Sequence, residues 1–246
     1  MQDFSVQLWC LVFLGTFIIG LAKAGLKGIE MLNVTIMALV FGGKASTGVV
    51  LPMLCVADIL AVKYYNRHAQ WTHFWKLIPY IGAGVLMGVY LGNDMNEALF
   101  KKIMGAIILF TVLIMLWLQY RKSDKVPTNR LFAVIMGLIT GITTMLGNLA
   151  GSFANIYFLS LRTPKNDFIG TAAWLFLVIN LSKVPLQVFV WKNITIDTLK
   201  LNLILMPALF LGFYVGLKTV AIIKDSYYQK VILGLTLIGA IMIFLK

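Results

Sequence analysis

Residues 131–161 read LFAVIMGLITGITTMLGNLAGSFANIYFLSL, and no charged residue interrupts them. How this run is read decides the fold. A membrane-spanning helix needs about 20 apolar residues. The run is too long for one span and short for two spans with a turn. Its centre, TTMLGNLAGS at Thr143–Ser152, is rich in small and polar residues. Unpaired backbone cannot face lipid, so a break there must line protein or water. The run is therefore expected to form a hairpin of short or broken helices. A matching interruption, AKAGLKG at Ala22–Gly28, lies near the start of the chain. Two forms fit each hairpin: a re-entrant pair, or two thin full spans.

The surrounding composition agrees. Of 246 residues, 60% are hydrophobic and 12% charged, and the mean hydropathy is +0.90. A soluble domain is about half apolar and about a quarter charged. These values exclude an ordinary cytosolic protein, a disordered chain and a DNA-binding module. They predict an all-α polytopic membrane protein with roughly eight to ten membrane segments. Further uncharged runs lie at Phe4–Ala22, Met31–Gly43, Ala45–Ala57, Leu77–Asn93, Ile103–Tyr120, Phe168–Ser182, Leu201–Leu217 and Val231–Leu245. They are continuously apolar rather than alternating, which argues against a β-barrel. The opening MQDFSVQLW lacks a basic region and a cleavage site, so it reads as a first membrane helix. Cys10 and Cys55 lie far apart, and no Cys/His spacing suits a metal. No metal or cofactor is expected.

The chain repeats itself. KLIPYIGAGVLMGVYLG (Lys76–Gly92) resembles LILMPALFLGFYVGLK (Leu203–Lys218). Superposing Pro79 on Pro207 also brings Gly84 onto Gly212 and Gly88 onto Gly216. The same offset carries Phe100, Lys102 and Ile103 onto Tyr228, Lys230 and Val231. Upstream, Gly20 and Gly25 fall near Gly141 and Gly147. The expected organisation is a first repeat at residues 1–120, a cytoplasmic linker (RKSDKVPTNR) at 121–130 and a second repeat at 131–246. An odd number of crossings per half makes the repeats inverted. The Lys/Arg-rich loops near Asn66, the linker, Thr163 and Ile222 then share one side, which the positive-inside rule makes cytoplasmic. Both termini are expected outside. Most of the net charge of +12 is this orienting loop charge, not a nucleic-acid surface.

A few polar residues stand where loops cannot explain them. Lys23 and Lys27 lie four apart at the first break, and like charges at that spacing repel. An anion between them, or Glu30 against one of them, would relieve this. Alternatively both lysines mark a loop between two full spans. Gly25 and Gly28 would let backbone N–H groups approach a ligand. Asn148, Gly151 and Ser152 occupy the second break, with Thr143, Thr144 and Asn155 nearby. Lys183 interrupts an apolar span beside Asn180 and Ser182. Asp58 interrupts another, and the offset that matches Thr47 with Thr171 places Asp58 next to Lys183. A charge inside the bilayer costs about 3 kcal/mol on insertion scales and marks function by default. The candidate substrate-binding set is Lys23, Gly25, Lys27, Gly28, Asn148, Gly151, Ser152, Thr171, Asn180 and Lys183. Asp58 is a candidate proton-coupling residue or the partner of a lysine. Trp9, Trp71, Trp75 and Trp191 read as interface anchors, and Trp174 as a weaker lining candidate. No catalytic or nucleotide-binding motif occurs, so an intramembrane enzyme is disfavoured and no ATP-driven mechanism is encoded.

Several of these stretches recur together in one family. In the first half they are GLAKAGLKG (Gly20–Gly28), TGVVLP with the later AD (Thr47–Asp58), and YYNRHAQW (Tyr64–Trp71). In the second they are GNLAG (Gly147–Gly151), KNDFIGTAAW (Lys165–Trp174) and NLSKVP (Asn180–Pro185). In order and spacing, over nearly the whole chain, the sequence resembles the sulfite exporter TauE/SafE family, also called toluene sulfonate uptake permeases. The resemblance implies a bacterial inner-membrane secondary transporter that exports small sulfur-containing or organic anions such as sulfite, sulfoacetate and other sulfonates. It also implies a substrate site built from the broken segments of both halves. Many members carry a run of glycines where this chain has Gly25-Leu26-Lys27-Gly28 and then Ile29 and Glu30. The expected mechanism is alternating access by two repeats rocking around a site near the bilayer centre. A passive anion channel is the alternative.

Overall fold

The computed structural model describes residues 5–120, 130–161, 164–224, 227–228, 230–231 and 234, without the side chains of 112, 115–120 and 152. The described residues form nine α-helices: α1 Val6–Lys23, α2 Glu30–Phe41, α3 Gly43–Tyr65, α4 Trp71–Asn93, α5 Glu97–Tyr120, α6 Arg130–Gly147, α7 Ala150–Ser160, α8 Lys165–Pro185 and α9 Ile196–Ile222. The expected linker, apart from Arg130, and most of the last expected span lie outside the described residues. Among the described residues, six helices are long and apolar enough to cross a bilayer: α1, α3, α4, α6, α8 and α9, with α3 and α8 each prolonged by a short turn. Their outward faces carry large apolar side chains, such as Tyr90 and Phe189, that suit lipid rather than water. The fold is that of an all-α polytopic membrane protein.

Both interrupted stretches are helical hairpins. Residues 131–161 divide into α6 and the 11-residue α7. The break falls at Asn148, whose φ of 56° is in the left-handed region. Asparagine tolerates that region better than most residues because its short side chain bonds locally. In the first half α1 ends at Lys23, and α2 runs for 12 residues. Gly25 and Gly28 turn the chain between them, with φ of 121° and 100°. At 1.5 Å per residue, α2 and α7 rise about 17–18 Å, well short of a hydrocarbon core of about 30 Å. Two tyrosines satisfy the carbonyls freed at the first break. The Tyr65 hydroxyl donates to the Ala24 oxygen, and the Tyr228 hydroxyl to the Gly25 oxygen.

Helices α1–α4 and α6–α9 follow the same order of lengths: a long helix, a short one, then two long ones. Contacts are exchanged between the sides. α1 packs along α9, α4 along α6, and α3 lies against α8. The glycines matched in sequence make these crossings close. A methyl group on Gly84 would land on the Leu138 carbonyl oxygen, and one on Gly141 on that of Ile81. A methyl on Gly20 would strike the Leu209 carbonyl, and one on Gly212 that of Phe17. These obstacles are backbone and cannot rotate away. Gly84→Ala is therefore expected to cost about 3 kcal/mol, the upper range for overpacking. Gly82→Ala, with nothing within 4 Å of its would-be Cβ, should be neutral or slightly stabilising. Thermal unfolding of the two variants in detergent checks this. Equal melting temperatures would disprove the tight crossing.

Candidate functional site

The two helix breaks and the middles of α3 and α8 converge on one cavity. It is lined by Lys23, Lys27 and Glu30 from the first break, Thr144, Asn148 and Gly151 from the second, and Phe176 and Asn180 from α8. Its volume is about 30 Å³, room for roughly two water molecules. On α8, Phe176, Asn180 and Lys183 recur at helical spacing, which puts them on one face. The sequence placed Asp58 next to Lys183 by repeat offset; in the fold both bond to Asn180.

Each charge has a distinct set of partners. Asp58 is fully buried. One of its oxygens pairs with Lys23 Nζ at 2.6 Å, and the other accepts from Asn180 Nδ2 at 2.7 Å. Lys183 is also fully buried. Its ammonium donates to Asn148 Oδ1 (2.6 Å), Thr144 Oγ1 (3.0 Å) and Asn180 Oδ1 (3.3 Å). All three acceptors are neutral, so the charge is solvated by protein oxygens but not cancelled. Glu30 accepts from the Gly28 backbone N–H and from Asn155 Nδ2. Gly151 fits beside it because a Cβ there would strike the Glu30 carboxylate.

Lys27 differs from the others. It is only 3% exposed. Its described contact is the Phe176 ring, 5.1 Å from Nζ to the centroid, and Lys23 lies over the same ring at 4.7 Å. Among the described residues no oxygen accepts from Lys27. By formal count, three lysines (Lys23, Lys27 and Lys183) face two carboxylates (Asp58 and Glu30), one positive charge in excess. A buried cation without a counter-charge is costly. An anion in the cavity would supply one.

Of the residues singled out in sequence, Lys23, Lys27, Asn148, Gly151 and Asn180 line this cavity, while Asp58, Lys183 and Gly28 bond to residues that do. Gly25 lies behind the cavity, where a Cβ would meet Ile169 and Val220. Thr171 lies near the start of α8, away from the cavity. Its hydroxyl donates to the Asp167 carbonyl oxygen and accepts from the Gln70 N–H at 2.8 Å, which ties α8 to the turn before α4. Ser152 belongs to α7, and its side chain is outside the described set. Phe176 and Asn33 also line the cavity but gave no sequence signal, one being apolar and the other an ordinary helix residue. Trp191 is not an interface anchor. It is buried against Gly92 and the Phe100 ring, with Lys44 Nζ 5.0 Å from its ring centroid. The wide π-type turn at Leu186–Val190 directs the chain inward there. Trp174 does not line the cavity and packs on Trp71.

At the cavity wall, α3 is joined to the break after α6 and to the turn after α8. Asn148 Nδ2 donates to the Thr47 carbonyl oxygen at 3.1 Å, and Gln187 Nε2 to the Thr47 hydroxyl at 3.0 Å. Asn148 thus binds Lys183 through its oxygen and α3 through its nitrogen. The family model described as sulfite exporter TauE/SafE matches residues 12–243. No curated protein and no solved structure matches the chain. With the family model covering nearly its whole length, the chain belongs to the sulfite exporter TauE/SafE family.

Proposed function

We propose that this multi-pass membrane protein is a secondary transporter that exports a small sulfur-containing or organic anion, such as sulfite, sulfoacetate or another sulfonate. The family implies anion transport, and the excess positive charge at Lys27 is the observation that carries the reading to this cavity. In the proposed complex Lys27 and Lys183 face the anion's oxygens, with Lys23 beside them. Asn148 and Asn180 donate N–H groups as their present bonds exchange, and the Gly28 and Gly151 positions leave room for close approach. Asp58, already paired with Lys23, is the group through which proton coupling would act. Two inverted repeats, residues 1–120 and 131–246, alternate the access, with both termini on the outer face of the inner membrane. The identical order of helix lengths and the exchanged glycine crossings support the repeat. The small size of the cavity favours a transporter over a passive channel, which needs a wide continuous path.

Reconstituted protein should take up sulfite or sulfoacetate into liposomes with a rate that saturates. A rate strictly proportional to concentration would favour the channel. Lys27→Met separates site from scaffold. No described oxygen loses a donor, so the melting temperature should hold or rise. Anion affinity should fall by at least about tenfold, since a charge-assisted hydrogen bond contributes about 1.5–3 kcal/mol. Unchanged affinity would remove Lys27 from the site.

A further inference from the structure

A second cleft lies at the end of the bundle where α4 and α6 begin. Its volume is about 450 Å³, within the range of small-ligand sites. It shares none of its described lining with the central cavity. Lys76 on α4 and Arg130, the first residue of α6, bring two cations to it, and no described lining residue is acidic. Neither cation has an ion pair or hydrogen bond with any described residue. Tyr157 of α7 also lines the cleft and is 3% exposed. Its ring stacks on Phe132, but its hydroxyl has no described partner. Because Tyr157 lines the cleft, this O–H is free to donate to a ligand there. Tyr80 completes the polar lining, and Trp75, 65% exposed, stands at the rim.

We propose that this cleft binds the phosphate of an anionic phospholipid. The two cations meet the phosphodiester charge, and the Tyr157 O–H donates to one of its oxygens. Two observations favour a lipid over a soluble anion. Leu131, next to Arg130, and Ile135, one helical turn further on, are exposed apolar residues of α6 along which acyl chains can lie. Trp75 at the rim is the kind of side chain that settles at headgroup depth. Basic pockets between helix ends are a recurrent mode of headgroup recognition. The lipid would tie α4, α6 and α7 together at one membrane face without entering the anion path.

The test is lipid binding to the purified full-length protein in detergent, read by native mass spectrometry and by the shift in melting temperature. Phosphatidylglycerol should be retained and should stabilise the protein, and phosphatidylcholine should do so far less. The Lys76→Gln/Arg130→Gln double variant should bind phosphatidylglycerol about thirtyfold more weakly, from the loss of two cations near the surface. Tyr157→Phe should weaken binding about fivefold. Arg67→Gln, an exposed cation on the neighbouring turn, should change nothing. The Lys76→Arg/Arg130→Lys pair should retain binding, which guards against a folding defect. Preference for phosphatidylglycerol surviving in the double Gln variant would overturn the site. Equal stabilisation by inorganic phosphate at the same concentration would overturn the lipid as its occupant.

Discussion

Lys183→Met should weaken anion binding by about a hundredfold. Methionine is similar in length and unbranched, so the space in α8 stays filled while the ammonium is removed. That ammonium is fully buried and held by Thr144, Asn148 and Asn180. Removing one member of a buried, hydrogen-bonded charge set costs about 2–5 kcal/mol, and a hundredfold corresponds to about 2.7 kcal/mol. Some of the loss should appear as lowered stability, because three oxygens lose their donor. Calorimetric titration with sulfite or a sulfonate, alongside a melting curve, separates the two effects. A folded variant that binds as tightly as the parent would place the substrate elsewhere.

Asp58→Asn should cause the largest stability loss of any single substitution at the site, about 3–5 kcal/mol. It leaves the Lys23 ammonium without its counter-charge. If the new amide nitrogen faces Asn180 Nδ2, it also sets donor against donor. Adding Lys23→Met should recover most of that stability, because a buried pair replaced whole by apolar or neutral groups is tolerated. Transport should not recover. Thermal unfolding of parent, single and double variants provides the measurement. An Asp58→Asn protein as stable as the parent would mean that the pair is not held as described. A double variant that transports normally would remove Asp58 from the coupling role.

Much of this was legible in the sequence, for definite physical reasons. Lipid forbids unpaired backbone, so the length of the uncharged run at 131–161 and the polar residues at its centre forced a hairpin. A charge in an apolar span is expensive, so Lys183 and Asp58 stood out. The pairing of charges was not legible. Lys23, not Lys183 or Lys27, takes Asp58, because the last turn of α1 happens to reach the middle of α3. In sequence, Glu30 and a bound anion are equal alternatives for relieving the two lysines. In the fold Glu30 is satisfied by the Gly28 N–H and Asn155, and Lys27 is left over. Both outcomes depend on how helices distant in sequence pack. Thr171 shared its offset with Thr47, yet the two differ. Thr47 joins α3 to the cavity wall, whereas Thr171 anchors α8 to a turn. Repeat equivalence carries over backbone position but not the partner a side chain finds.

The glycine crossings constrain how the protein can move. At Gly20 with Gly212, and at Gly84 with Gly141, helices of different halves touch backbone to backbone, with no side chain between them at the crossing point. Such a contact resists separation, because dispersion contacts are lost as soon as a gap opens. It resists rotation far less, because no ridge has to climb out of a groove. The two crossings therefore act as pivots, and two pivots define an axis. In the proposed mechanism, turning one half against the other about that line costs less than prising the halves apart. A residue larger than glycine at either crossing would jam the pivot as well as weaken the fold.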